Sequence, residues 1–383
     1  MMKSSSRSAF TIVELLIVIV IITILAAITI VAYNGITNQA KETTLKSDLH
    51  NAVTALELAN TNDGSYPQNP SLKSSESNHL QYSGGGSSFC ITATTTSFPG
   101  KSYFITQGAG IKEGICPDHV QTIAGTMQSF SQNQCQSLPL FTGSNNTAVI
   151  GLTDARGGTI RTYRIAKLAD NKCWMLNNLK LGSTTASITL TPQDSNIASN
   201  FTLPQITHSG NSLDIPYTYG PVPGDTGLGS TNYGYLYNWS AATAGETRIS
   251  KPAGSGNASY SICPANWRLP SGGVWNTPAN EFSNLNARMA GLSGVTDARY
   301  TESNNYGPTF YPRWQSDGLF KGVLSGYWWS GFDSQSSAGV LWSRSTYPTS
   351  ADDGYVAYFD TANIDSSIYG IRSYGYGIRC VLN

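Results

Sequence analysis

Leu15 to Ala32 is a continuous apolar run broken only by Thr23 and Thr29, long enough to span a bilayer as one helix. Lys3 and Arg7 precede it in a Ser-rich leader, so the leader is expected to stay cytoplasmic while the rest of the chain crosses. A secretory signal carries its small-residue cleavage site after the apolar region, but here Ala9 comes before it. The apolar helix is therefore expected to be retained after processing. Glu14 is the only charged residue between Arg7 and Lys41. A carboxylate near the apolar zone costs about 2.5–3.5 kcal/mol unless something offsets it, either snorkelling at the helix end or a partner.

Beyond the run, Ile36, Ala40, Leu45, Leu49, Ala52, Val53, Leu56 and Ala59 keep helical spacing, and Asn62-Asp63-Gly64 supplies a stop. A helix from Phe10 to Thr61 would be about 78 Å long. Its outer half is expected to carry a first head.

The 383 residues are enough for two exterior units. Only 12% are charged, with 23 Lys and Arg against 23 Asp and Glu, which argues against nucleic acid as a partner and against polybasic membrane binding. Gly (38), Tyr (21) and Trp (8) are plentiful, as in a turn-rich β protein outside the cell. All six cysteines follow the apolar run and none forms a C-x-x-C pair, which favours disulfides in an oxidising compartment over buried thiols.

The leader resembles the class III leader of type IV prepilins, in which cleavage precedes a Phe and a Glu stands fifth in the mature chain. Counted from Phe10, Glu14 is fifth. The resemblance implies a prepilin peptidase cutting between Ala9 and Phe10, N-methylation of the new α-amine, and other pilin subunits as partners. It also implies assembly through Phe10 and Glu14, with the Glu14 carboxylate meeting a neighbouring α-amine. Ala9 stands where Gly is commoner. Val31 stands where many pilins have Pro, so any weak point in the helix is expected at Gly35 or not at all. The implied location is the cytoplasmic membrane, single-pass, before assembly and an extracellular filament or the cell surface afterwards.

Residues 1–9 thus read as leader, 10–62 as the transmembrane and amphipathic helix, 63–137 as a small β head, 138–150 as a linker or boundary, and 151–383 as a second domain. Within the head, Tyr66-Pro67, Phe89-Cys90 and Gly114-Ile115-Cys116-Pro117 resemble compact pilin heads of some Gram-positive and small-genome bacteria. A Cys90–Cys116 bridge there would contribute about 3 kcal/mol. In the second domain Gly157-Gly158 is a two-residue hairpin signal, and Thr277 with Pro278 marks a helix start.

That domain resembles the fibrobacter-type major paralogous (FISUMP) domain, grouped with C-type-lectin-like and sulfatase-modifying-factor folds. The resemblance rests on ordered blocks: Thr153-Asp154-Ala155-Arg156-Gly157-Gly158, Lys172-Cys173-Trp174-Met175 with Asn178-Leu179, and Gly234-Tyr235-Leu236-Tyr237-Asn238-Trp239. It continues with Ile262-Cys263-Pro264, Trp267-Arg268-Leu269-Pro270-Ser271, Tyr327-Trp328-Trp329-Ser330 and Gly377-Ile378-Arg379-Cys380-Val381. The expected fold class is α+β: a long N-terminal transmembrane helix with a small pilin β head, followed by a C-type-lectin-like, mixed α/β but mostly β domain. From this partition the expected disulfides are Cys90 with Cys116, Cys135 with Cys173, and Cys263 with Cys380.

Chemistry is sparse. His50, His79, His119 and His208 show no metal-ligand spacing, and G-x-S-x-G and Walker motifs are missing, so no enzyme and no cofactor are expected. Sulfatase-modifying relatives act through a cysteine-dependent centre, but Cys380 has no second Cys nearby in the sequence. The E-P-N, Q-P-D and W-N-D motifs of calcium-dependent lectins are missing too, and Asp352-Asp353-Gly354 reads as a solvated turn. Trp267, Trp328 and Trp329 read as core. Tyr347 to Tyr369 reads as an exposed contact surface for a cell-surface or glycan ligand, with Tyr347 and Tyr369 as its candidate residues.

Overall fold

A computed structural model describes residues 12–67, 70–95, 97, 101–117, 119–143, 148–227, 229–274, 277–293 and 310–383. The apolar run and the amphipathic stretch form one helix, α1 (Ile12–Asp63), which passes through Gly35 without a break. Gly64, at φ +70°, ends it, and its N–H donates to Asn60 O at 2.9 Å. Such a left-handed residue satisfies a carbonyl that the helix leaves open. On the outer half, Leu45, Leu49, Ala52 and Leu56 recur on one face and are buried.

That face is covered by an antiparallel sheet of β1 (Asn78–Gly85), β2 (Ser88–Thr95), β3 (Ser102–Thr106) and β4 (Lys112–Glu113), in that order. Phe89, Ile91 and Ala93 alternate along β2 and, with Tyr103, Ile105 and Tyr66, pack on the helix. Two carboxylates of α1 fasten the sheet. Asp48 accepts from Ser75 N (2.9 Å), Ser75 Oγ (2.9 Å) and Asn78 Nδ2 (2.8 Å), and Glu42 accepts from the Tyr103 hydroxyl at 2.7 Å. The Cys90–Cys116 disulfide closes this head.

The passage into the second unit comes earlier than residue 137. β5 (Ile123–Thr126) pairs in parallel with β6 (Val149–Asp154), and α2 (Gln132–Ser137) delivers Cys135 to the larger core. Phe141, in the expected linker 138–150, is buried in that core's second half. Residues 144–147 of that linker lie outside the described residues.

The second unit continues with β7 (Arg161–Lys167), β8 (Cys173–Met175), β9 (Ile188–Leu190), β10 (Phe201–Leu203), β11 (Thr218–Tyr219) and β12 (Leu236–Tyr237). Then come α3 (Trp239–Ala242), β13 (Trp267–Arg268), α4 (Glu281–Met289), β14 (Tyr327–Trp328) and β15 (Phe332–Asp333). It closes with β16 (Ala338–Thr346), β17 (Asp353–Asp360), β18 (Ile364–Ile371) and β19 (Val381–Leu382). Six strands form one sheet, in the order β13-β19-β8-β7-β6-β5, and β16-β17-β18 form another. Alternate residues of the six-stranded sheet feed two cores: Ile150, Leu152, Ile165 and Met175 on one face, Val149, Ala166, Trp174 and Val381 on the other. A long apolar helix and a large, mostly β remainder make the chain α+β.

Two local expectations shift. The β6–β7 connection is longer than a two-residue hairpin: it holds a 3-10 turn, Arg156–Gly158, with Gly157 and Gly158 at φ +70° and +76°. The turn brings the Arg156 guanidinium back onto the Asp154 carboxylate at 2.8 Å, and it also donates to Ile262 O at 2.8 Å. α4 starts at Glu281, not near Thr277, because Asn280 is the cap and its side chain accepts from Ser283 N at 3.1 Å.

Disulfides join Cys135 to Cys173 and Cys263 to Cys380, so the three bonds link the pairs expected from the sequence. A buried ionic cluster adds to them. The Glu281 carboxylate accepts from Arg268 Nη1 (2.6 Å), Arg268 Nη2 (2.8 Å) and Ser271 N (2.8 Å), and it also meets Lys172 Nζ. Burial by itself would raise the Glu281 pKa, but Arg268 and Lys172 hold it down to about 2. The unfolded chain therefore binds the extra proton between about pH 4.5 and pH 2, and this contribution is complete above the window and lost as pH falls through it. Glu281→Gln is expected to remove about 3 kcal/mol at neutral pH and to flatten the pH dependence of unfolding in that window, as thermal melts from pH 2 to 7 would show.

Candidate functional site

Two surfaces stand out. The first is the inner half of α1. From Leu15 to Ile30 its large apolar side chains are 46–61% exposed on every side, in contrast to the buried Leu45 and Leu49 farther along. The two hydroxyls in the run are satisfied within the helix, Thr23 Oγ1 donating to Val20 O (2.8 Å) and Thr29 Oγ1 to Leu25 O (2.7 Å). No polar group of these side chains then needs water, which suits a lipid or protein environment. Among the described residues α1 is the one helix long and apolar enough to cross a membrane. Glu14 belongs to its first turn. Ala9 and Phe10 lie outside the described residues.

The second surface is aromatic. Tyr369 on β18 is 52% exposed and faces Tyr355 of β17 across the ladder. The half-buried Tyr347 ring lies 4.7 Å from that of Tyr369 and 5.2 Å from that of Tyr355. The two candidate tyrosines thus meet, although 22 positions separate 347 from 369. Beside them Asp352 accepts from Arg248 Nη1 at 3.1 Å, an ion pair at the turn expected to be merely solvated. Trp329 corrects the expectation of a core residue. It is 45% exposed at the tip of the β14–β15 hairpin, its ring 6.4 Å from that of Tyr374, while Trp328 beside it is buried on Tyr219 at 4.8 Å.

Residues 4–30 match the prokaryotic N-terminal methylation motif. No curated protein matches the chain. The match supports a type IV pilin-like leader, and with the long apolar helix it points to membrane anchoring. It covers the helix half that the other described residues leave bare.

His119, which carries no sequence signal, is buried between the two units. Its Nε2 is 2.6 Å from Ser83 Oγ and its Nδ1 is 2.8 Å from Thr92 Oγ1. Burial, then the Arg164 charge, lowers its pKa to about 3. A serine–histidine contact of this kind has a hydroxyl where a carboxylate would steady an imidazolium, so His119 acts as a neutral bridge.

Trp329→Ala is expected to change stability by less than about 1 kcal/mol, whereas Trp342→Ala, which empties a fully buried site, is expected to cost about 3–5 kcal/mol. Thermal unfolding of the detergent-solubilised chain separates the two.

Proposed function

We propose that the chain is a low-copy type IV pilin-like subunit that assembles through α1 and displays residues 151–383 for adhesion or surface binding. The observation that carries this reading is the division of α1. Its outer half is the core of a head, and its inner half, inside the methylation-motif match, presents apolar side chains that none of the other described residues covers. Packing such helices side by side would bury that surface and create the filament core. Glu14 would then pair with the α-amine of Phe10 in a neighbouring subunit, which offsets the cost of a carboxylate among apolar groups.

Several contacts support a FISUMP-type, lectin-like fold for the second unit, because they join the blocks that carry the resemblance. Arg156 reaches Ile262, Asn178 Oδ1 accepts from Arg379 Nε at 2.9 Å, and Cys263 is bonded to Cys380. Display, not catalysis, fits a Cys380 that is buried in a disulfide and an aromatic surface formed by Tyr347, Tyr369 and Trp329. So large a unit on every subunit would crowd a dense filament, which favours a low copy number. The ligand would be a cell-surface group or glycan recognised without a metal.

Glu14→Ala is expected to leave membrane insertion and both exterior units intact while sharply reducing incorporation into filaments. Immunogold labelling with antibody to residues 151–383 measures this. Sparse label along surface filaments, lost in the variant, supports the proposal. Label confined to the cell envelope would instead indicate a pseudopilin of a DNA-uptake or secretion apparatus, and unchanged incorporation of the variant would remove Glu14 from assembly.

A further inference from the structure

Ile249 is 92% exposed and Ile215 is 58% exposed, and both adjoin the aromatic surface. One guanidinium ties these segments together. Arg248 donates from N to Asp214 Oδ1 (2.7 Å) and from Nε to Asp214 Oδ2 (3.0 Å), which sets residues 214–215 beside 248–249. Its Nη1 reaches Asp352, in the turn that follows Tyr347, at 3.1 Å. Tyr347 O accepts from Gly254 N at 2.9 Å, and Lys251 O accepts from Arg372 Nη1 at 2.7 Å, next to the exposed Ile371. Tyr374 N donates to Ile371 O at 2.9 Å, and the Tyr374 ring carries the contact to Trp329. Exposed aliphatic and aromatic side chains are thus neighbours in one region of the second unit.

The turn that holds Ile249 is fastened, not loose. Thr247 N donates to Ser250 Oγ (2.8 Å), Ser250 N to Thr247 Oγ1 (3.2 Å), Lys251 N to Thr247 O (2.9 Å), and Ser250 Oγ to Glu246 Oε2 (2.6 Å). A side chain held out on a fixed backbone loses little freedom when a partner covers it. Exposed apolar residues are ordinary when scattered, but a contiguous group marks a surface that something else covers.

Charge and shape narrow what covers it. Arg248, Lys251 and Arg372 stand here against Asp214, Glu246, Asp352 and Asp353, so the region is close to balanced and slightly acidic. Such a balance attracts neither a strongly anionic nor a strongly cationic partner. The most exposed side chain, at the tip of a projecting turn, is aliphatic. Stacking on a sugar would need an aromatic face at that tip. An aliphatic tip bordered by Tyr and Trp matches a bilayer instead, because Ile favours hydrocarbon while Tyr and Trp favour the headgroup level.

We propose that this patch docks on a zwitterionic phospholipid bilayer, with Ile249 and Ile215 at the acyl boundary and Tyr347, Tyr369 and Trp329 at headgroup level. Docking of this kind rests on the second unit being displayed for surface binding, and the membrane it meets is not the one that holds α1. Flotation tests it, with the full-length chain held by α1 in phosphatidylcholine nanodiscs and mixed with protein-free phosphatidylcholine vesicles. The loaded discs are expected to float with the vesicles and empty discs to stay below, with capture insensitive to salt and not strengthened by phosphatidylserine. Ile249→Ser is expected to need about tenfold more lipid for half capture, since it removes one aliphatic side chain from the buried set, without changing the melting temperature. If that variant melts lower, Ile215→Ser with a loss in the same direction decides. No capture, capture only by vesicles that carry glycolipid, membrane protein or phosphatidylserine, capture abolished by salt, or undiminished capture by a stably folded variant would each overturn the proposal. Immunogold labelling judges display separately, so docking can fail while display stands.

Discussion

Everything in this molecule hangs on one helix that must satisfy two surroundings at once. Over its outer turns α1 is a core element: Leu45, Leu49, Ala52 and Leu56 are buried under one face of the four-stranded sheet. Over its inner turns the same helix offers apolar side chains all round, with hydroxyls turned back onto the helix backbone. Because hydrogen bonds run unbroken from Ile12 to Asp63, the two halves share one rigid axis, and the position of the inner half fixes where the head stands. Asp48 and Glu42 reinforce that coupling at the junction by fastening the sheet to the helix with charged acceptors.

The second unit is organised differently. Its sheet is buried on both faces, so its strands show no clean alternation of apolar and polar residues, and polar groups inside it must be paired. Arg156 with Asp154 and the Ile262 carbonyl, Arg379 with Asn178 and two backbone carbonyls, and Glu281 with Arg268 and Lys172 do this, each cluster reaching a segment far away in sequence. Cys263–Cys380 closes a sequence separation of 117 residues beside them. Such pairs specify one arrangement, because removing either member strands the other in a dry interior.

Local signals in the sequence were legible, as was the disulfide pairing that the domain partition selects, while other long-range contacts were not. The apolar run, the stop at Gly64 and the even set of cysteines depend on composition and spacing, and these survive in the fold. Tyr347, just past the end of β16, and Tyr369, on β18, come together across β17 of one three-stranded meander, so one stretch of sequence holds both. β5 was missed because its partner β6 is parallel and lies beyond α2, so no turn residue marks the pairing. Asn280 displaced Thr277 as cap since its Nδ2 also bonds Gly273 O and Ser366 O, a tertiary reward that propensity does not include. Trp329 followed its neighbour's assignment, but consecutive residues at a strand end face opposite ways and only Trp328 points inward.

The central claim is that α1 is kept after processing and becomes the assembling part of the subunit. Mass spectrometry of the N-terminus of protein taken from cells with an active prepilin peptidase tests it most directly. The account predicts a mature chain that begins at Phe10 and carries a methyl group on its α-amine. A chain still beginning at Met1, or one cut after Ala32 so that the apolar run is lost, would contradict it.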